Sequence, residues 1–373
     1  MKILFVVPRF HTNMYQMVKT LQENGHQVTF HASCLGFTED HSLVKPVTFK
    51  QCKASLLTEK IWGRRGVNRP NYFPGPIQYW RVFRKIKPDI IIIRDPYRPF
   101  SLIAAICSLL TKTKIVFYTQ EILFGPQRKR ISWKRNFIIK FFRAAWMVPI
   151  QGGEDDKQHA LKYSYYVPLP VPSKPGISIN RNSTAEKPRI LMMGKYHQAR
   201  KNHLLFVKAI SILKNKYQFK VTIVGECINE EQIAKFNLLQ ETIADLGLSE
   251  IIFLKKNIPF SKMEDLYTSH HVFVLPAINE QYGVSVTEAL AYGLPTICTD
   301  TCGARFNISN GVNGFVVESN SLEELTTAME TLISNSDKLN EMREQSLAYF
   351  EKNLSGSAFY SRFLYMLKDR FYH

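Results

Sequence analysis

A chain of 373 residues with 45% hydrophobic content has material for two domains with ordinary cores, and its composition excludes a disordered or fibrous protein. Six cysteines without a CxxC pair or metal-ligand spacing argue against a disulfide frame or a zinc module, and read as reduced cytosolic thiols. The formal charge of +18 arises wholly in residues 1–175, where 28 Lys and Arg face 10 Asp and Glu; the remainder is balanced at 21 against 21.

That asymmetry gives the first half alone a reason to face a polyanion or an anionic membrane. Nucleic acid is the competing partner, but no zinc spacing, RNP pattern or basic zipper supports it. The opening run, Lys2 to Pro8, is too short for a signal core and reads as a strand. No apolar run reaches the length of a membrane span; Ser101 to Leu110 is a helix-sized segment.

In chain order, the first strand leads into Arg9 to Asn13, then a helix from Met14 to Glu23 and a strand from His26 to Ala32. No glycine-rich turn follows the first strand, which weakens a nicotinamide-enzyme reading and leaves that strand end to Arg9, Phe10 and His11. Lys45 to Pro74 reads as irregular and basic, with a solvated loop as the default. The pattern then gives a helix at Ile77 to Ile86, a strand at Ile90 to Arg94, a helix at Ser101 to Leu110 and a strand at Lys114 to Thr119, ending at Gln120-Glu121. Gln127 to Arg143 reads as a helix interleaving Arg128, Lys129, Arg130, Lys134, Arg135, Lys140 and Arg143 with Ile131, Trp133, Phe137, Ile138, Phe141 and Phe142. This mixture suits a helix lying in a membrane surface, although part of its apolar face must be core.

A proline-rich, turn-rich stretch, Tyr163 to Pro188, separates the halves. The expected divisions are 1–170, a linker at 171–188, a second domain at 189–355 and a terminal helix at 356–373. The second half repeats the strand and helix alternation of a doubly wound sheet. Its first strand, Arg189 to Met193, runs into Gly194-Lys195-Tyr196-His197-Gln198-Ala199-Arg200-Lys201 and a helix from Asn202. Phe219 to Gly225 is the next strand, Ile251 to Leu254 another, and Met263 to Thr268 a short helix.

The unit from His271 to Asp300 is the most informative. A buried strand ends at Pro276, a polar loop carries Glu280, a helix starts near Ser285 with Glu288 in its first turn, and Gly293 and Pro295 stop it before the strand Thr296 to Thr299. The backbone at Gly283, Val284, Ser285 and Val286 is a natural anion seat, because the first amides of a helix lack partners. Ser285 to Glu288 also fits a capping box, in which Glu288 bonds back to the backbone.

Glu280, Gly283, Glu288 and Ala289, with Gly293 and Pro295, resemble the Glu-x7-Glu motif of retaining nucleotide-sugar glycosyltransferases of the GT-B fold, family 4. The resemblance implies two Rossmann-like α/β domains facing across a cleft, with the terminal helix crossing back to the first. It implies that Glu280 lies beside the donor sugar, that Glu288 holds the ribose, and that the Gly283 to Val286 backbone takes the diphosphate. Lys195 and Lys201 stand where the family has Arg and Lys on the diphosphate, with Arg200 as a partial substitute. Gly225 ends the family's VGE-like strand, and the turn to Ile258 is where the family meets the base. Gln120 stands where a His often faces the reacting sugar; Gln can hydrogen-bond a hydroxyl but cannot titrate near neutral pH. Arg9, Phe10 and His11 would shape the acceptor side, with a purely structural loop as the alternative. Thr301 to Phe306 replaces a segment in which many members have two glycines and a Glu.

The implied function is transfer of a sugar from a UDP- or GDP-type nucleotide sugar to a glycolipid or polysaccharide acceptor, in bacterial surface polysaccharide or lipopolysaccharide synthesis at the inner face of the cell membrane. No D-x-D triad occurs, so no metal or other cofactor is expected and no metal ligands are assigned. A GT-B nucleotide-sugar epimerase is the nearest enzyme alternative; a basic binding protein without catalysis is the alternative of another class.

Overall fold

The computed structural model describes residues 1–11, 14–35, 40–62, 71–123, 132–152, 162–174, 176–177 and 187–372. Two compact units divide it: Met1–Pro170 together with Gly356–His373, and Val171–Ser355.

In the N-terminal unit, the described strands are β1 (Lys2–Val7), β2 (Gln27–Ala32), β3 (Val47–Thr48), β4 (Ile90–Arg94), β5 (Lys114–Tyr118), β6 (Ala145–Val148) and β7 (Ser164–Tyr166). All pair in parallel in the order β3-β2-β1-β4-β5-β6-β7. A parallel sheet covered on both faces needs nearly continuous apolar strands, and Ile90 to Ile93 and Ile3 to Val7 are fully buried. Connecting helices include α1 (Tyr15–Glu23), α2 (Lys53–Trp62), α3 (Pro76–Ile86), α4 (Pro99–Leu110) and α5 (Ser132–Phe141). Two expectations fail here. Part of the stretch read as irregular is helix α2, whose Ser55 hydroxyl donates to the Asn71 carbonyl at 2.8 Å. The stretch read as a turn-rich connector opens with β7, paired to β6 from Ser164 to Tyr166.

The C-terminal unit alternates β8 (Arg189–Met193), α6 (His203–Leu213), β9 (Lys220–Gly225), α7 (Glu230–Asp245), β10 (Ile252–Lys256), α8 (Met263–Thr268), β11 (Val272–Leu275), α9 (Val284–Ala291), β12 (Thr296–Thr299), β13 (Gly314–Val317), α10 (Leu322–Ser334) and α11 (Ser336–Asn353). Its strands are also parallel, in the order β10-β9-β8-β11-β12-β13. One core layer packs Ile190, Phe206, Ile210, Ile223 and Met329 on one face of the sheet. The other packs Leu191, Phe273, Leu275, Val286 and Leu290.

In both sheets the chain reverses its winding beside the first strand, between β1 and β4 and between β8 and β11. Open α/β sheets hold ligands in the crevice outside the strand C-termini at such a point. The last helix, α12 (Gly356–Phe371), belongs to the N-terminal unit. Phe359 and Phe363 are buried, the Tyr165 hydroxyl donates to Asp369 at 2.5 Å, and Arg370 donates to the Ala144 carbonyl at 2.9 Å.

Candidate active site

In the C-terminal unit, the segments leaving β8 and β11 meet at the switch point. The turn after β8 carries Gly194 to Lys201, and Ile278 on the segment after β11 donates its amide to the Arg200 carbonyl at 2.7 Å. Glu280 then lies where two cations converge. Lys201 Nζ donates to Glu280 Oε2 at 2.6 Å, and Arg200 Nη1 donates to the same oxygen. The Glu280 and Lys201 side chains are only 13% and 12% exposed, so this charge pair is shielded from bulk water.

Two cations on one carboxylate leave a local excess of one positive charge. The sequence paired Lys195 with Lys201, but the structure turns Lys195 to Glu226, the residue after Gly225, and brings Arg200 to Lys201 instead. The physical reason is proximity: Arg200 and Lys201 share one 3-10 turn (Ala199–Lys201) that faces the Glu280 loop.

Two glycines make this meeting possible. A Cβ on Gly194 would stand 3.0 Å from Cβ and Cγ of Lys201, so the lysine stem crosses a bare backbone. A Cβ on Gly225 would stand 2.5 Å from the Gly194 carbonyl and 2.6 Å from the Tyr196 ring. Tyr196 itself is buried, with its hydroxyl 2.9 Å from the Ile223 carbonyl and 2.7 Å from that of Lys255. His203 stacks on it and places Nε2 3.2 Å from the Gly194 carbonyl. Burial lowers the His203 pKa to about 4, so this ring is a neutral strut.

Helix α9 begins beside Glu280. Gly283, its N-cap, has φ +85°, a left-handed conformation that favours glycine, and no side chain caps the helix. An added Cβ there would lie 2.8 Å from Cys302 Sγ and 3.6 Å from Glu280 Cγ. The amides of Val284 and Ser285 therefore start a helix next to the Glu280, Arg200 and Lys201 cluster, and Val286 already donates to the Gly283 carbonyl at 2.9 Å.

Glu288 does not form the capping box. Its Oε2 accepts a hydrogen bond from the Tyr267 hydroxyl at 2.6 Å, and Tyr267 stacks on Tyr292 with centroids 5.2 Å apart. Desolvation raises the Glu288 pKa and the Tyr267 bond pulls it back. Tyr267 is thus a residue of this site that the sequence reading missed; it lies in a helix whose pattern reads simply as core. Ile258, just beyond the β10 end, is half-buried and packs against the core layer that contains Leu191, Phe273 and Tyr267.

In the N-terminal unit, the neighbouring ends of β1, β4 and β5 carry Arg9 and His11, Arg94, and Gln120. Arg94 Nη2 donates to Gln120 Oε1 at 3.3 Å, and Arg9 Nη2 lies 3.3 Å from His11 Nδ1. Phe10 corrects the expectation: it is fully buried and packs edge-on against Phe30, at 4.8 Å, so it is core and cannot meet an acceptor.

Helix α5 divides the basic segment. Trp133, Lys134, Phe137, Lys140 and Phe141 are exposed, with Phe137 and Phe141 stacked at 5.8 Å. Arg135, Ile138 and Phe142 are buried, contrary to a basic face containing Arg135; its guanidinium lies over the Trp146 ring and pairs with Glu121. Ile131 and the triplet Arg128 to Arg130 lie outside the described residues. Among the described residues, no helix is long and apolar enough to cross a membrane, and no three His, Cys, Asp or Glu side chains gather as a metal cradle.

Residues 177–348 match the family model described as Glycosyl transferases group 1. The match spans the Gly194 turn, Glu280 and Glu288. Over 164 residues, or 41% of this chain, the sequence is 25% identical to the human GDP-Man:Man(3)GlcNAc(2)-PP-Dol alpha-1,2-mannosyltransferase, covering 33% of that protein. The matches span a third to somewhat under half of the length of the curated relatives. Solved structures show the fold over its whole length. A glycosyltransferase from Rickettsia africae ESF-5 superposes with a TM-score of 0.73 at 19% identity, covering 99% of this chain and 98% of that one. Anabaena Alr3699/HepE in complex with UDP and glucose gives 0.70 at 16% identity, covering 99% and 100%. The two parallel-sheet units have the GT-B architecture.

Proposed function

We propose that the chain is a group 1 glycosyltransferase of the Glu-x7-Glu type, family 4, that moves a sugar from a nucleotide diphosphate donor to a glycan or lipid-linked acceptor. The observation that carries the reading is the convergence of Arg200 and Lys201 on Glu280 beside the start of α9, at the switch point of the segment that matches the family model. As the anomeric carbon to phosphate bond breaks, negative charge grows on the departing diphosphate. Arg200, Lys201 and the first amides of α9 are fixed donors for that charge, which is electrostatic preorganisation. Glu280 holds both cations and faces the donor sugar; Glu288, set by Tyr267, takes the ribose hydroxyls. Lys195, on Glu226, serves the outer edge of the same diphosphate.

In this reading the acceptor oxygen bonds to the anomeric carbon on the face that the diphosphate leaves. Configuration is retained, and the hydroxyl proton passes to the departing phosphate oxygen. Gln120 is a hydrogen-bonding group for a sugar hydroxyl and no base is required of it. The residues supply the countercharge, so the proposed reaction is metal-independent. Exposed Trp133, Phe137 and Phe141 among Lys134 and Lys140 would rest the N-terminal unit on an anionic membrane where a lipid-linked acceptor waits, as in lipopolysaccharide synthesis at the inner face of a bacterial cell membrane.

A panel of UDP, GDP and other nucleotide sugars tests the reading, scored by thermal shift and slow donor hydrolysis. One donor class should raise the melting temperature and be hydrolysed. Indifference to every nucleotide sugar would refute it.

A further inference from the structure

The N-terminal unit holds an arrangement of donors that sugar binding alone does not call for. Its own switch point lies between β1 and β4, and the strand ends there present Arg94, His11 and Gln120. Arg94 Nη1 is buried without a hydrogen-bond partner, while Nη2 reaches only the neutral Gln120 amide oxygen. No carboxylate among the described residues pairs with Arg94; the neighbouring Asp95 is held by Arg98 at 3.0 Å. A buried guanidinium donor left unsatisfied destabilises the fold, and an anion bound there would complete it.

His11 adds a second donor. Arg9 can only donate, so His11 Nδ1 accepts from it, and the neutral ring carries its hydrogen on Nε2. That Nε2 atom is also buried with no hydrogen-bond partner. The ring stays neutral because burial, then Arg94, Arg9 and Arg98 in that order, press its pKa down to about 3. Three guanidinium groups act on one imidazole, and the sheet end carries a cationic field with two unpaired N–H groups.

We propose that Arg94 Nη1 and His11 Nε2, flanked by Gln120, form an oxyanion subsite that grips a phosphate or carboxylate group of the acceptor. The assignment rests on the reading that the N-terminal unit takes the acceptor, and names its class: an acceptor that bears a negative charge near the hydroxyl to be glycosylated. One N–H from Arg94 Nη1 and one from His11 Nε2 suit two oxygens of a single phosphate or carboxylate, which a sugar hydroxyl cannot offer.

The test is a titration of the full chain with inorganic phosphate and, in a parallel arm, with glucuronate, followed by the histidine ring resonances. His11→Gln assigns the His11 signal. Movement of that signal with phosphate assigns a phosphate-bearing acceptor, and movement with glucuronate a sugar acid. Arg94→Gln should weaken the response at least tenfold, with Arg94→Lys intermediate, while UDP or GDP binding by calorimetry stays within twofold of wild type. A His11 signal indifferent to both anions, or one that responds equally in the Arg94 variants, would overturn the subsite. Loss of nucleotide binding in Arg94→Gln would overturn its assignment to the acceptor. A moving His11 signal in a wild-type chain that binds no nucleotide would sustain the subsite and instead sink the donor reading.

Discussion

Lys201 reaches Glu280, 2.6 Å from Nζ to Oε2, by laying its methylene stem across Gly194. A residue eight positions beyond the end of β8 thereby meets one 79 positions later, at a spot where Arg200 already donates to the same oxygen. A charged hydrogen bond is worth about 1.5–3 kcal/mol, or roughly 10- to 150-fold in binding. Lys201→Ala is therefore expected to weaken nucleotide diphosphate binding by about that factor in calorimetry. Glu280→Ala should behave differently: it frees two cations for the diphosphate, so nucleotide binding persists while sugar transfer falls by at least about 100-fold. Equal losses of binding and transfer in both variants would show that Glu280 is only a counterion.

The Tyr267 bond makes Glu288 pH-sensitive in a defined direction. A ribose hydroxyl needs the ionised carboxylate, so nucleotide binding should fall as pH drops through the Glu288 pKa, already raised by desolvation. Tyr267→Phe removes the bond that lowers it, and the fall should move to higher pH. The stability sign is the reverse: a carboxyl whose folded pKa is raised destabilises the fold once ionised. Glu288→Gln should then melt above wild type at pH 7, with the gap closing as pH falls from the raised folded pKa to the ordinary carboxylate value. A binding profile unchanged by Tyr267→Phe would remove Glu288 from the ribose site.

Gly283 offers a purely structural test of the same corner. Alanine there must adopt φ +85° and place a Cβ 2.8 Å from Cys302 Sγ. Backbone strain of this kind costs about 1–3 kcal/mol. Gly283→Ala should lower denaturant stability by that amount or more, and adding Cys302→Ala should recover the part due to the sulfur contact but not the part due to φ. Full recovery would mean that conformation plays no role at this cap.

Much of this was legible in the sequence because strands buried on both faces are written as unbroken apolar runs. Ile90 to Arg94, Arg189 to Met193 and Thr296 to Thr299 were read with their observed ends. Glu280, Gly283 and Glu288 were readable as a motif, since a loop, a left-handed turn and a helix start impose residue types at fixed spacing. Side-chain partnerships were not. Nothing in Gly-Lys-Tyr-His-Gln-Ala-Arg-Lys says that Arg200 takes Glu280 while Lys195 turns to Glu226, because that choice depends on the 3-10 turn at Ala199–Lys201. Phe10 looked available beside two polar residues, yet alternation at a strand exit sends it inward and leaves Arg9 and His11 at the rim. Helix α2 was hidden by a basic, proline-flanked context with weak periodicity.

Four histidines give the fold a common response to acid. Burial is the leading cause in each, lowering His11 to about 3 and His31, His203 and His270 to about 4. Unfolded, each binds a proton near pH 6.5, so between that value and the folded pKa the unfolded chain holds more protons. The stability these groups contribute is complete above about pH 6.5 and is lost as pH falls toward 4. For His31, fully buried with Nδ1 3.1 Å from the Tyr79 hydroxyl, the loss is up to about 3 kcal/mol. Denaturant unfolding at pH 7.5 and pH 4.5 should show a marked drop in midpoint, partly offset by carboxyls such as Glu288 whose raised pKa works the other way. His31→Gln lowers stability at pH 7.5 but should flatten the dependence, because the substituted side chain takes up no proton on unfolding. A midpoint that does not change between the two pH values in the wild-type chain would mean that these rings are protonated in place.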